Sequence, residues 1–520
     1  MEIVDNRALI LRTRHPDRYA CIPNSADLGA SADGTHEVVV HWEIDAIRVL
    51  RNLGIKDAPS PIMGRYDWPG RFKPFAHQKE TSAFLTLNNR AFVFSEPGVG
   101  KTLSAIWAAD YLMKIGRIRT VVVLCPLSIM HAAWQRDIGS SAIHRSAIVC
   151  HHVDSERRVR MVKNNYDFTI INYDGLPMVL KALQDRGNVD LVIVDEANAY
   201  SNPQTKRWKV LNALLTPDMM VWMMTGTPAA QSPVHAYGLA KIVNPSGVPR
   251  FQTAWRDVVM RQLTRFKWAP KADASERVHA ALQPAIRYTK AECLDLPPVL
   301  TTTREVALTP QQQKYYKIIK TQMISRVAGE TISAVNAAAV VSKLLQISAG
   351  AAYTDNHEVI EFDCAPRLNV LMEVLEETPN KTIVFAHYRS SIDTIRDHLH
   401  KHGVVCDVIH GDVNRNKRTE IFHAFQTKPE PRVLILQEQS AAHGVTLTRA
   451  DTVVFWGPVT SVEMYIQCIA RTDRIGQVSD HVTVVHIQGS DIERKLFRRL
   501  EERVVSHDLF TSLYKEEKES

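Results

Sequence analysis

Five short apolar runs, near residues 91–95, 119–124, 168–172, 190–194 and 219–224, alternate with segments whose apolar residues return at helical spacing. A second set follows near 382–386, 404–409, 432–437, 451–455 and 482–488. These runs are continuously apolar, as strands buried on both faces are, so each set predicts a parallel sheet covered by helices. Ahead of them, Ala8–Leu11 and Val38–Trp42 have strand character, and Asp45–Asn52 predicts a helix ending near Gly54. Pro59, Pro61, Gly64, Pro69 and Gly70 then predict a linker. Residues between the two sets are expected to be mostly helical, with an Ala-rich stretch at Ile332–Leu345 and a basic, aromatic one at Arg261–Lys271. The organisation expected is an accessory unit at 1–72, a first lobe at 73–245, and a helical insertion and bridge at 246–364. A second lobe at 365–505 and a charged tail at 506–520 complete it.

The 520 residues suit roughly three domains. With 45% hydrophobic and 23% charged residues the composition is that of a globular chain, and disorder is not expected. No apolar run reaches the roughly 18 residues that a membrane span needs, and Met1–Asp5 lacks the basic and apolar regions of a leader, so no membrane partner is expected. The expected location is cytoplasmic: a bacterial or virus-infected cell, or the nucleus if the source is eukaryotic. Seven scattered cysteines without a CxxC pair suggest neither zinc nor disulfides. A net charge of +7 fits both a soluble surface and nucleic-acid binding.

Candidate chemistry begins at Ser95-Glu96-Pro97-Gly98-Val99-Gly100-Lys101-Thr102, a glycine-rich turn between a buried strand and a helix predicted over Thr102–Ile115. Its N–H groups and the helix N-terminus attract phosphate oxygens, Lys101 adds a cation near the β- and γ-phosphates, and Thr102 can bind Mg²⁺. Leu191-Val192-Ile193-Val194-Asp195-Glu196 is an apolar strand ending in two acids. Asp195 would hold Mg²⁺ through its water shell and Glu196 would deprotonate the attacking water; an acidic N-cap after a core strand is the alternative. On a helix predicted over Ser461–Asp473, Gln467, Arg471 and Arg474 share one face at i, i+4 and i+7. Two cations held toward a neighbouring lobe can stabilise a transferring phosphoryl group, although solvated surface arginines would give the same pattern.

In order and spacing these stretches resemble the Swi/Snf type of superfamily 2 helicase-like ATPases from about Phe75 to Val504. Also matching are His77-Gln78, Cys125-Pro126-Leu127-Ser128 with Trp134, Ile171-Asn172-Tyr173 and Thr225-Gly226-Thr227-Pro228. The second half adds Val384-Phe385-Ala386-His387-Tyr388, His410-Gly411-Asp412, Gly444-Val445-Thr446-Leu447-Thr448 and Gln467–Gln477. Ile286-Arg287-Tyr288-Thr289-Lys290, Leu296-Pro297-Pro298 and Arg474-Ile475-Gly476-Gln477 favour the Swi/Snf branch.

The resemblance implies an α/β fold of two RecA-like doubly wound parallel-sheet lobes with helical insertions and a small N-terminal α+β unit. It implies an interlobe site for ATP and Mg²⁺. Phe75, Gln78, Pro97, Gly98, Val99, Gly100, Lys101, Thr102, Asp195 and Gly444 would bind nucleotide, with Thr102 and Asp195 on the metal. Glu196, Lys101, Arg471, Arg474 and Gln467 would be catalytic. Pro126, Leu127, Ser128, Asn172, Tyr173, His387, Tyr388, Arg389, His410 and Gly411 would face nucleic acid, with core packing the alternative for Tyr173 and Tyr388. The implied activity is DNA-dependent ATP hydrolysis with translocation on double-stranded or branched DNA, in company with a replication, repair or transcription protein. The rivals are an ATP-gated clamp and an RNA helicase. Asn198 stands where the family commonly has histidine, Phe75 where many relatives carry arginine, and Gln437–Ala442 departs from a small-residue pattern.

Overall fold

The computed structural model describes residues 1–504 apart from 227, 230–231, 265–266, 330–333, 354–357, 379, 442–444, 460, 475 and 503. Gly444 and the tail at 506–520 thus lie outside the described residues. The chain divides into two units between Cys293 and Leu294.

In the first unit seven parallel strands form one sheet, in the order Ala285–Ile286, Arg90–Val93, Met220–Met224, Val189–Asp195, Thr120–Cys125, Phe168–Asn172, Ala147–Val149. Leu191 to Val194 and Val121 to Cys125 have no solvent exposure, which is why their sequences read as unbroken apolar runs. All carboxyl ends of a parallel sheet lie along one edge, so the segments after Val93, Cys125, Asn172, Asp195 and Met224 are gathered there.

The N-terminal residues form a four-stranded antiparallel sheet, in the order Glu2–Val4, Ala8–Thr13, His36–His41, Ala26–Ala30, followed by the helix Ile44–Asn52. They are not packed as a separate body. Leu9, Val40, Trp42 and Leu50 share one core with Trp107, Val121 and Trp222. The expected linker is pinned down: Trp107 Nε1 donates to the Pro69 carbonyl at 3.1 Å, and the Ser60 and Thr86 hydroxyls meet at 2.7 Å. Tyr66 reaches across to the buried Asp110, which also holds His144 and Arg145. Whatever else they do, these residues buttress the first sheet.

The second unit holds six parallel strands, in the order Val299–Glu305, Val482–Gln488, Ala450–Phe455, Lys381–Phe385, Val433–Leu436, Cys406–Ile409. A fully buried ion pair, Arg367 with Glu493 at 2.7 Å, ties the helix Ala365–Glu377 to the turn after Val482–Gln488; the same carboxylate accepts from the N–H groups of Gly489 and Ser490.

The stretch 246–364 holds the helices Gln252–Val259, Ala274–Ala281, Pro310–Gly329 and Ala334–Ala349, but it is less helical than its composition suggests. Ala285–Ile286 extends the first sheet, Val299–Glu305 extends the second, and Met260–Thr264 pairs with Lys267–Pro270 as a hairpin. No helix among the described residues is long and apolar enough to cross a membrane. All seven cysteines are free thiols.

Candidate functional site

The phosphate turn is built by its glycines. Gly98 and Gly100 have φ of +98° and +87°, in the left-handed region that glycine tolerates without strain. Gly100 also lies so close to Gln78 that a Cβ there would stand 1.9 Å from its amide nitrogen. The helix begins at Lys101 and runs to Lys114, and the Lys101 ammonium bends back to the carbonyls of Ser95 (2.7 Å) and Glu96 (3.1 Å), over the turn it serves. Gln78 accepts from the Phe75 N–H at 3.0 Å, and its side-chain nitrogen reaches the Val99 carbonyl, which His77 also contacts at 2.9 Å. Phe75 is 46% exposed and stacks on His77, leaving an aromatic face beside the turn.

On the adjoining side, the backbone after Ala285–Ile286 continues along the turn. Glu96 N donates to the Tyr288 carbonyl at 3.0 Å, Tyr288 N to Ser95 Oγ at 3.1 Å, and Lys290 N to the Glu96 carboxylate at 2.9 Å. The motif Ile286–Lys290 is thus bonded to the phosphate turn, a role its sequence position far downstream does not reveal. Gly226 presses on the same turn, where a Cβ would meet Pro97 at 2.9 Å.

Two strands from the turn, Asp195 is buried, and burial raises its pKa against the opposing pull of Lys101 and of hydrogen bonds from Trp134 and the Glu196 N–H. Trp134 Nε1 donates to one carboxylate oxygen at 2.9 Å and the Glu196 N–H to the other at 3.0 Å. Glu196 has φ +50° and ψ +54°, a left-handed conformation that costs a non-glycine residue about 1–3 kcal/mol. Tyr173 secures it, because its hydroxyl donates to the carbonyls of both Asp195 and Glu196. The Tyr173 ring is buried, so core packing describes it and the expectation that it faces nucleic acid does not. Sequence reasoning named both Tyr173 and Trp134 yet missed that they shape the acidic pair.

Pro126, Leu127 and Ser128 follow the next strand, with Leu127 52% exposed. Ser128 Oγ and Asn172 Oδ1, on neighbouring strand ends, are buried and have no hydrogen-bond partner among the described residues. A buried polar atom left so is costly without a ligand or water.

In the second unit the helix carrying Gln467 is Val462–Ile469, so Arg471 and Arg474 lie beyond its end and the shared helical face does not exist. The backbone turns instead: the Leu447 N–H donates to the Arg471 carbonyl at 2.8 Å. Both guanidinium groups still converge, each donating to the Val445 carbonyl at 3.3 Å. Arg471, 4% exposed, also donates to the Gln467 carbonyl, and Arg474 to Thr446 Oγ1 at 3.1 Å. They are therefore not loosely solvated arginines.

The segments after Lys381–Phe385, Cys406–Ile409 and Val433–Leu436 also share a sheet edge. His387 Nδ1 meets the buried Glu438 carboxylate at 2.9 Å, Arg389 pairs with Asp412, and the Gly411 N–H donates to Gln437 at 3.3 Å. Tyr388 is half-buried, its hydroxyl directed at the Ser342 carbonyl. Glu438, in the stretch that departs from the family pattern, raises the His387 pKa through its hydrogen bond, with burial opposing. That stabilisation is complete below the unfolded value of 6.5 and is lost as pH rises through the elevated folded value. The melting-temperature deficit of Glu438→Gln, followed by calorimetry, is therefore expected to be largest at about pH 6 and to shrink toward about pH 9. A deficit independent of pH would contradict the pairing.

Comparison with known proteins shows the family. Residues 77–357 match the SNF2-related domain and residues 366–476 the helicase conserved C-terminal domain. Similar curated proteins include the SWI/SNF-related matrix-associated actin-dependent regulator of chromatin subfamily A-like protein 1 of Xenopus tropicalis, 26% identical over 76% of this chain and 40% of that protein. Chromodomain-helicase-DNA-binding protein 1-like of Mus musculus is 24% identical over 87% of this chain and 52% of that protein. The chain thus spans about half the length of these relatives or less. Among solved structures, the Sulfolobus solfataricus SWI2/SNF2 ATPase core in complex with dsDNA aligns over 86% of this chain and 94% of that one, at 21% identity and a TM-score of 0.40. The chain belongs to the SNF2-related family. Its two matched regions, an SNF2-related domain followed by a helicase C-terminal domain, are those of the helicase-like Swi/Snf type.

Proposed function

We propose that this chain is a DNA-dependent ATPase that moves along duplex DNA, with the phosphate turn of the first unit holding ATP and Arg471 and Arg474 of the second acting on its γ-phosphate. The observation that carries the reading is the assembly of turn, acidic pair and Thr225-Gly226 on the ends of three adjacent strands, with Glu196 held in a strained conformation. A clamp that only binds nucleotide has no use for that strain, whereas a base aimed at an attacking water does.

Mg²⁺ fits the donors present. Asp195 is a buried carboxylate at the end of its strand, and Thr102 is the second residue of the helix that leaves the phosphate turn. That set suits an ion shared with nucleotide phosphates, which would neutralise charge on the β- and γ-phosphates when bound. Lys101 binds the same phosphates, Glu196 takes the proton of the attacking water, and Arg471 and Arg474 meet charge developing on the γ-phosphate.

Contacts from Pro126–Ser128, Asn172, His387, Arg389 and His410-Gly411 to sugar and phosphate would make binding salt-sensitive and nearly sequence-blind. The biological task we favour is remodelling of DNA or of protein–DNA complexes in replication, recombination or repair. ATPase rates measured in parallel with double-stranded DNA, single-stranded DNA and RNA, joined to a triplex-displacement assay, test the reading. Preferential stimulation by duplex and displacement of the third strand are expected. Stimulation without displacement would favour the clamp, and preference for RNA the RNA helicase.

A further inference from the structure

Two residues of the stretch that departs from the family pattern, Gln437 and Glu438, join three loops of the second unit. They follow the strand Val433–Leu436, which lies between Lys381–Phe385 and Cys406–Ile409 in the sheet. Gln437 Nε2 donates to the His387 carbonyl at 3.3 Å, while its Oε1 accepts from the Gly411 N–H at 3.3 Å. One amide thus spans both neighbouring strand ends.

Glu438 sits deeper, 2% exposed, with its Oε2 2.9 Å from His387 Nδ1. A carboxylate can only accept, so Nδ1 is the donor. The other oxygen, Oε1, is buried and has no hydrogen-bond partner among the described residues. A carboxylate buried in this way is costly unless a cation accompanies it, and the imidazole is the group placed to be that cation. Other titratable and charged groups surround the pair. Tyr388 lays its ring edge-on 4.8 Å from that of His387, and burial pushes its phenol up to about 12. Cys468, on the helix Val462–Ile469, is a buried thiol raised first by burial and then by Glu438, and Arg471 beyond that helix opposes the rise. Arg389 pairs with Asp412, which His410 also approaches at 3.9 Å. Glu493 lines the same small cavity as His387 and Tyr388 but is matched by Arg367.

A neutral imidazole carries one hydrogen. Because Nδ1 directs it at Glu438, Nε2 can donate only when the ring is charged. The His387 side chain is 35% exposed, so a ligand can reach it. We propose that Glu438 is a positioning residue for nucleic-acid binding: its carboxylate keeps the His387 ring charged and oriented, so that Nε2–H donates to a backbone phosphate, while Gln437 fixes the loop that carries the ring. The proposal rests on the reading above that His387 faces duplex DNA. The raised His387 pKa agrees with the geometry, the bond to Glu438 being its largest cause.

The test is duplex affinity across a salt series, repeated from about pH 5.5 to about pH 9, for the wild-type full chain, Glu438→Gln, Glu438→Asp and His387→Gln. One phosphate contact is worth about 0.9 in the slope of log affinity against log salt. Relative to His387→Gln, the wild-type slope is expected to fall by about 0.9 as the ring discharges, with a midpoint above the ordinary value of 6.5. In Glu438→Gln the same step is expected with its midpoint moved back toward 6.5, and Glu438→Asp, which keeps the charge, should lie between the two. A glutamate that merely supports the loop would lower affinity equally at every pH. Equal midpoints in wild type and Glu438→Gln would overturn the proposal. So would a wild-type slope that His387→Gln matches at every pH, a result that decides the matter even if the glutamate variants fail to fold. If the wild-type chain binds no duplex at any pH, the parent reading fails instead.

Discussion

Glu196→Gln is expected to bind ATP as the wild-type chain does and to hydrolyse it about 10² to 10⁴ times more slowly, the range a positioned general base contributes. The substitution keeps the side chain's size and removes its capacity to take a proton. It leaves the strained turn in place, because Tyr173 holds that turn through the backbone carbonyls of Asp195 and Glu196. Lys101→Ala is expected to stop turnover by a different route. It deletes the cation that hangs over the carbonyls of Ser95 and Glu96, so nucleotide affinity falls along with rate. Binding of a fluorescent nucleotide, measured beside steady-state turnover, separates the two outcomes. Wild-type hydrolysis in either variant would remove the first unit's strand ends from the chemistry.

Much of this was legible in the sequence, for a physical reason. Central strands such as Leu191–Val194 are buried on both faces, so every residue must be apolar and the run stands out. The phosphate turn is legible because its positive-φ positions demand glycine. What the sequence hid lies where burial is one-sided or bonding is long-range. Val299–Glu305 is almost wholly exposed and carries Thr301-Thr302-Thr303, so no apolar run marks it. Ala285–Ile286 is two residues long and owes its place to bonds with a strand almost two hundred residues earlier. The basic hairpin has too few alternating apolar positions to distinguish strand from helix. The stop at Ile469 is set by Leu447 bonding the Arg471 carbonyl, which no local periodicity encodes. Trp134 and Tyr173 could be named from motif order, but their grip on the acidic pair emerges only once parallel pairing brings three strand ends together.

Arg471→Ala and Arg474→Ala are each expected to lower DNA-stimulated turnover by about 10³ to 10⁵, the range known for arginines that stabilise a transferring phosphoryl group. Arg471 is the more buried and is bonded to Gln467 and Val445, so Arg471→Lys is a useful companion. It retains a charge but not the planar fork of donors, and should remain slow if that fork serves the γ-phosphate. Unchanged melting temperatures would distinguish loss of chemistry from loss of fold. Near-normal rates in both alanine variants would mean that the converging guanidinium groups serve the second unit's own loop and nothing more.

Trapping of ADP with aluminium fluoride, a mimic of the phosphoryl group in flight, addresses the pairing of the two units most directly. The wild-type chain should form a long-lived complex, whereas Arg471→Ala and Arg474→Ala should bind ADP alone with wild-type affinity yet fail to retain it when fluoride is added. Equal retention by all three proteins would show that the second unit's arginines never meet the nucleotide held by the first.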